Sequence, residues 1–218
     1  FDELDADAAE RLARLAGDSP DRADALAWSV LSHGARVRVP SGAAPEGPIV
    51  AEFREGGEGA LAAPRLVLEL GEGSRATVSV RFESDDAGAG AACAVTGGVV
   101  AELAPGARLE GALLQAFADG TLAYLRLDAR LDAGAKLTWR EFHLGASRVR
   151  ARTSVRLEGE GATADLDGAW ALAEGQGADL GTVQRHLAPS TSSDALYKGV
   201  VAPGARSAFR GLIEVARE

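Results

Sequence analysis

The sequence predicts a mostly β protein: a parallel β-helix, or β-solenoid, preceded by short N-terminal helices. Three observations carry that reading. Glycine-centred turns recur through the chain beyond residue 64. Short apolar or alternating runs, the mark of strands, separate those turns. Hydrophobic residues make up 46% of the chain and aromatic residues only 5%, with Ala, Val and Leu dominant, so the core is built from small and branched side chains that suit thin, regular layers.

The first twenty residues, "FDELDADAAERLARLAGDSP", set Leu4, Ala8, Leu12 and Leu15 on one face, with acids crowding the first turn. That pattern predicts an amphipathic helix closing near Gly17 and Pro20. "DRADALAWSVLSHG" predicts a second helix with Gly34 as its C-terminal cap. His33 then falls at a helix end, where its charge would favour the negative pole of the dipole. Residues 1–34 are accordingly read as a helical segment and residues 35–218 as the β-helix core. The runs "ARVRVP", "PIVAEF" and "PRLVLEL" are its opening strands.

After residue 64 the chain repeats a strand, a glycine turn and a strand. The turns "GEGSRATV", "APGARLEG", "DAGAKLTW", "EGEGATADL", "EGQGADLG" and "APGARSAF" put a glycine at positions 73, 106, 134, 161, 177 and 204. The successive spacings are 33, 28, 27, 16 and 27. Periods of this size belong to solenoids and propellers, and neither a Trp-Asp blade signature nor a helical repeat is present. In a β-solenoid, inward side chains stack into ladders and glycine serves the corners. A β-sandwich is the structural alternative, since it also uses short strands with frequent turns.

Charge and cysteine content exclude several functions. Asp plus Glu number 32 against 23 for Lys plus Arg, a net charge of −9, and no basic stripe is visible along the sequence. This argues against nucleic-acid binding, which needs clustered positive charge. A single cysteine, Cys93, leaves no disulfide framework and no paired-cysteine metal knuckle. No apolar run reaches membrane-span length and no signal peptide opens the chain, so the expected compartment is the cytoplasm. The absence of any methionine points to a fragment cut at both ends.

The segment "RHLAPSTSSDALYKGVVAPGARSAFRGLIEVARE" (185–218) gathers His186, Ser190, Thr191, Ser192, Ser193, Asp194, Tyr197 and Lys198. His186 is the weak metal candidate. Only Asp179 and Asp194 lie at any plausible reach, and a histidine hydrogen-bonded to its own turn is the favoured reading. A Ser–Lys nucleophile lacks both a G-x-S-x-G elbow and S-x-x-K spacing, and strand geometry puts Ser193 and Lys198 on opposite faces. Cys93 is a weak sulfur-acceptor candidate. Its small apolar neighbours in "GAACAVTGG" supply no cation to activate the thiol. The lone histidines His33 and His143 are weaker still. Trp139 and Trp170 are read as core plugs, the acidic "FESDDAGAG" as a solvated loop, and none of the glycine turns as a phosphate loop.

The same C-terminal residues carry a family resemblance. "GADLGTVQRHLAPSTSSDALYKGVVAPGARSAFRGLIEV" (177–215) resembles the core motif of the SufB/SufD family of iron–sulfur cluster assembly scaffolds, and similarity extends over roughly residues 33–217. The motif positions are Asp179, Thr182, His186, Ser193, Lys198, Gly199, Phe209 and Gly211, all taken as structural. The resemblance, closer to SufD than to SufB, implies a right-handed parallel β-helix that holds a paralogous scaffold subunit and, through a region missing here, a SufC-type ABC ATPase. It implies no independent enzymatic activity, no catalytic or cofactor-binding residue in this stretch, and an iron–sulfur cluster only at the level of the complex. The family continues into further β-coils and a helical region carrying the subunit interface, the residues tied to cluster formation and the ATPase surface, so no residue here inherits those roles. A carbohydrate-active β-helix enzyme and a purely structural β-solenoid are the alternatives. The first would need converging carboxylates and substrate-stacking aromatics.

Overall fold

The computed structural model describes residues 32–57, 59–84 and 93–216. Within them fourteen strands follow one another in chain order. The opening strands are β1 (His33–Val39), β2 (Ile49–Arg54), β3 (Leu61–Ala62), β4 (Pro64–Leu70), β5 (Arg75–Glu83) and β6 (Ala94–Leu103). Then come β7 (Arg108–Phe117), β8 (Leu122–Leu131), β9 (Lys136–Gly145) and β10 (Arg148–Leu157). The last are β11 (Thr163–Leu172), β12 (Gly177–His186), β13 (Ser192–Val201) and β14 (Arg206–Val215). One sheet has the order β1-β4-β6-β8-β10-β12-β14, with β3 beside β6, and the other has β13-β11-β9-β7-β5-β2. Apart from β3 and β4, which both belong to the first sheet, successive strands alternate between the sheets, and every pairing is parallel. This is a β-solenoid of two facing sheets. The parallel pairings rule out the sandwich alternative, whose sheets are antiparallel.

Alternation within each strand builds the core. On the first sheet the register stacks Leu66, Val99, Leu127, Thr153, Thr182 and Gly211 in one inward ladder, and Leu70, Leu103, Leu131, Leu157, His186 and Val215 in another. On the second, Val80, Leu113, Glu141, Gly168 and Tyr197 form the central inward ladder. The early coils thus close on leucine and valine, with Leu66, Leu68, Val80 and Phe82 fully buried. From β9 onward polar side chains, Glu141, His143, Thr153, Thr182 and Gln184, join the buried apolar rows.

The turns explain the irregular glycine spacing. Corners leading from the first sheet to the second place left-handed residues at Gly73, Gly106, Gly134, Gly161 and Ser190, at intervals of 33, 28, 27 and 29. The return corners place them at Gly120, Ala146, Gly175 and Gly204, at intervals of 26, 29 and 29. The sequence reading merged these two series. Gly177, taken there as a corner, is the first residue of β12, while Gly175 turns the chain. The outlying interval of 16 is a jump from one edge of the solenoid to the other. Within the first series the glycine N–H groups donate up the stack, Gly73 to the carbonyl of Pro105, Gly106 to Ala133, Gly134 to Glu160 and Gly161 to Pro189.

Two expectations at the entry to the solenoid change. Of the predicted helical segment 1–34, residues 1–31 lie outside the described residues. His33 and Gly34, however, do not end and cap a helix; they open β1, paired with Pro64 and Arg65. The physical reason is the close approach of β4, since a Cβ on Gly34 would lie 2.4 Å from the Arg65 carbonyl oxygen. The glycine admits the neighbouring strand instead of reversing the chain. His33 Nε2 sits 2.7 Å from Glu55 Oε1, where burial drives the Glu55 carboxyl pKa up against the opposing pull of His33. Of "FESDDAGAG", residues 85–90 lie outside the described residues.

Candidate functional site

The polar residues of the C-terminal motif separate by strand parity. In β12, Thr182 and His186 point into the lumen while Asp179 faces out. His186 sits in its ladder between Leu157 and Val215, with Nδ1 2.9 Å from Thr191 Oγ1 and Nε2 2.9 Å from Ser193 Oγ, so both ring nitrogens are engaged by the following corner and strand. The hydroxyls here tie a coil end to its turn. In β13, Ser193 and Tyr197 face inward, and Lys198 faces outward and is exposed, so a Ser193–Lys198 pair is not assembled.

Gly199, Phe209 and Gly211 belong to an aromatic stack that fills the last coils. A Cβ on Gly199 would lie 2.0 Å from the Trp170 ring, and one on Gly168 would lie 2.1 Å from the Tyr197 ring. Each glycine therefore leaves room for the large side chain of an adjoining coil. Phe209 stacks on Tyr197 at a centroid distance of 4.5 Å and on Trp170 at 6.4 Å. Gly211 sits beside Thr182 and Phe209. Trp139 is fully buried, a core plug in the literal sense. Cys93 is buried immediately before β6, its sulfur 3.4 Å from Thr121 Oγ1. Among the described residues no group of three or more His, Cys, Asp or Glu could hold a metal ion.

The strongest polar feature of the interior was not singled out from the sequence. Glu141, on β9 and almost completely buried, accepts a hydrogen bond from Thr153 Oγ1 at 2.8 Å on one oxygen and from the Tyr197 hydroxyl at 3.0 Å on the other. His143 Nε2 stands 3.8 Å from the second oxygen. Burial opposes ionisation of Glu141, but His143, Thr153 and Tyr197 outweigh it and hold the carboxyl below its ordinary range. Burial and the Glu141 charge push the Tyr197 phenol well up, which keeps it a donor. Tyr197 reaches this carboxylate by passing over Gly168, so one anion ties β9, β10 and β13 together. The signal lay in "LTWREFHL": Leu137, Trp139, Glu141 and His143 share one face by period-two alternation, putting an acid and a histidine among core residues. This set holds no activated nucleophile and no oxyanion site, and its evident work is to bind coils together.

On the outward face of the first sheet, Asp179 receives Arg152 at 3.0 Å and Arg210 at 3.1 Å, with Arg150 at 4.0 Å. Burial would raise its pKa, but Arg152 and Arg210 outweigh that and lower it. Arg126, Arg148, Arg150, Arg152, Arg206 and Arg210 all project from this face. No basic stripe is visible along the sequence, yet the fold gathers these arginines on one face. Arginines two apart along a strand and one coil apart between strands converge in space while remaining dispersed in sequence.

Fold and interior define a class: a parallel β-solenoid whose C-terminal polar motif is spent on coil corners and stacking. The comparisons make the class specific. Residues 53–218 match the sequence profile described as SUF system FeS cluster assembly, SufBD core domain, so the chain belongs to the SufBD family. It is 26% identical over 198 residues to an iron–sulfur cluster assembly SufBD family protein of Mycobacterium leprae, covering 87% of this chain and 22% of that protein. A protein of the same description from Mycobacterium tuberculosis H37Rv is 31% identical over 111 residues, covering 51% of this chain and 13% of the relative. The chain thus spans less than a quarter of the length of these relatives. Among the described residues, no helix is long and apolar enough to cross a membrane.

Proposed function

We propose that this chain is a scaffold segment of an iron–sulfur cluster assembly complex. It holds a paralogous SufB- or SufD-type subunit and works with an ABC-type ATPase, and the cluster forms at surfaces shared within the complex. The observation that carries the reading is the SufBD core match over residues 53–218, which begins within β2 and takes in every strand from β3 to β14. The interior is consistent with a scaffold role, because Glu141 holds Thr153 and Tyr197 across coils and His186 ties its coil end to Ser193. The segment has no catalytic turnover of its own, and its working compartment is the cytoplasm.

Affinity isolation from cells co-expressing the full-length protein, its paralogous scaffold and the ABC ATPase of the same genome tests this. A stoichiometric ternary complex, with ATPase activity only in the third component, is the expected result. Failure to retain either component, or polysaccharide cleavage by the purified protein, would contradict it.

A further inference from the structure

We propose that the outward face of the first sheet carries a binding site for a phosphate-class organic anion, held by Arg148 and Arg206. The two residues occupy the same outward row of the solenoid, with Gly177 between them in register. The Arg148 side chain lies across that glycine, where a Cβ would stand 2.9 Å from Arg148 Cδ. Arg148 and Arg206 line one groove from strands about 10 Å apart.

Their charges are not neutralised. Arg148 donates only to backbone carbonyls, Ser147 and Gly175, both at 2.7 Å. Arg206 is exposed and has no carboxylate partner among the described residues. Of the carboxylates nearby, Asp179 is already shared by Arg150, Arg152 and Arg210, Asp119 accepts from Gln176, and Glu174 lies against Gly204. On a chain of net charge −9, this concentration of positive charge stands out, and like charges across a single glycine gain most from a ligand that carries two negative charges. Guanidinium forks match phosphate oxygens in pairs, which favours a phosphate over a monocarboxylate.

Beside the two arginines runs a groove of about 480 Å³, walled by Leu61, Ala94, Leu122 and Tyr124. Its volume is in the range of small-molecule sites, and its apolar wall suits a flat or aliphatic moiety attached to the phosphate. The site lies on the outside of the solenoid, apart from the Glu141 network, and does not depend on the proposed scaffold role.

Isothermal titration of the protein with ADP and with inorganic pyrophosphate at low ionic strength tests the site. Saturable binding is expected, tighter for ADP because only ADP occupies the apolar wall. Arg206→Ala should weaken it about tenfold, the loss of one charged hydrogen-bonded contact, and Arg206→Glu should abolish it. Gly177→Ala, which displaces Arg148, should weaken it as well, while Lys198→Ala on the other sheet should not. Thermal melts establish that each variant is folded. No saturable binding, equal affinity of wild type and Arg206→Glu, or a Glu-rich peptide binding more tightly than ADP would overturn the assignment.

Discussion

Glu141 shows how a single buried charge is made tolerable. A carboxylate in the lumen of a β-solenoid is costly unless its oxygens are satisfied, and here Thr153 and Tyr197 each donate to one of them. Removing the charge leaves the donors under-served, so Glu141→Gln should destabilise the fold by about 1–3 kcal/mol at neutral pH in urea unfolding. The pH dependence has a definite sign. The folded carboxyl pKa is lowered, so its stabilisation is present above the unfolded value of about 4.3 and is lost as pH falls through the lower folded value. The gap between wild type and Glu141→Gln should therefore narrow in acid; a gap that widens would refute the ionised assignment. Close packing at Gly168 gives a second expectation. Gly168→Ala forces a methyl into the Tyr197 ring and should cost about 1–3 kcal/mol in the wild type but little when introduced into a Tyr197→Leu background. Additive losses would show that the aromatic contact is not the cause.

The repeating element is a coil of two ten-residue strands joined by short corners, and its clearest irregularity is Ser190. That residue takes φ of 58° at a corner where the five preceding coils place Gly42, Gly73, Gly106, Gly134 and Gly161. Ser190→Gly should raise stability by about 0.5–1 kcal/mol, because glycine adopts this conformation without Cβ strain. Gly134→Ala should lower it by a similar amount, and a melting series on the two variants checks both signs. Ala146, at φ of 62° in the opposite series, is fully buried, so Ala146→Gly trades relief of strain against lost packing and should change little. Much of this element was legible in the sequence. Glycine turns and alternating runs identified the solenoid, since both arise from local backbone preference. The division into two corner series was not, because "EGQG" carries two glycines and only the strand register distinguishes Gly175 in the turn from Gly177 in β12. His33 and Gly34 were misplaced for a related reason: strand pairing with Pro64 and Arg65, thirty-one residues away, overrides a local capping signal. The Glu141–Tyr197 contact spans fifty-six residues and bridges past an intervening strand, so alternation could flag Glu141 but not name its partner.

At the scale of the whole molecule, a solenoid is held by contacts between neighbouring coils, and its ends expose what the interior buries. β14 lies at one edge of its sheet, and inward-row residues Ile213 and Val215 are 60% and 72% exposed. An unpaired apolar strand edge is a template for another chain. The 218-residue segment produced alone should therefore self-associate with rising concentration in size-exclusion chromatography with light scattering, and Ile213→Glu should suppress this. A strictly monomeric wild-type segment would show that the exposed row does not act as an edge. The same additive architecture suits a scaffold, which must present surfaces to several partners without moving its own core.

The central claim, that this chain serves iron–sulfur cluster assembly, is tested most directly in the cell. Aconitase, a cluster-dependent enzyme, is assayed in extracts of the native organism after deletion of the gene encoding this chain. The account predicts a loss of aconitase activity with unchanged aconitase protein, restored by the full-length gene. Full activity in the deletion strain, with no second scaffold able to substitute, would contradict it.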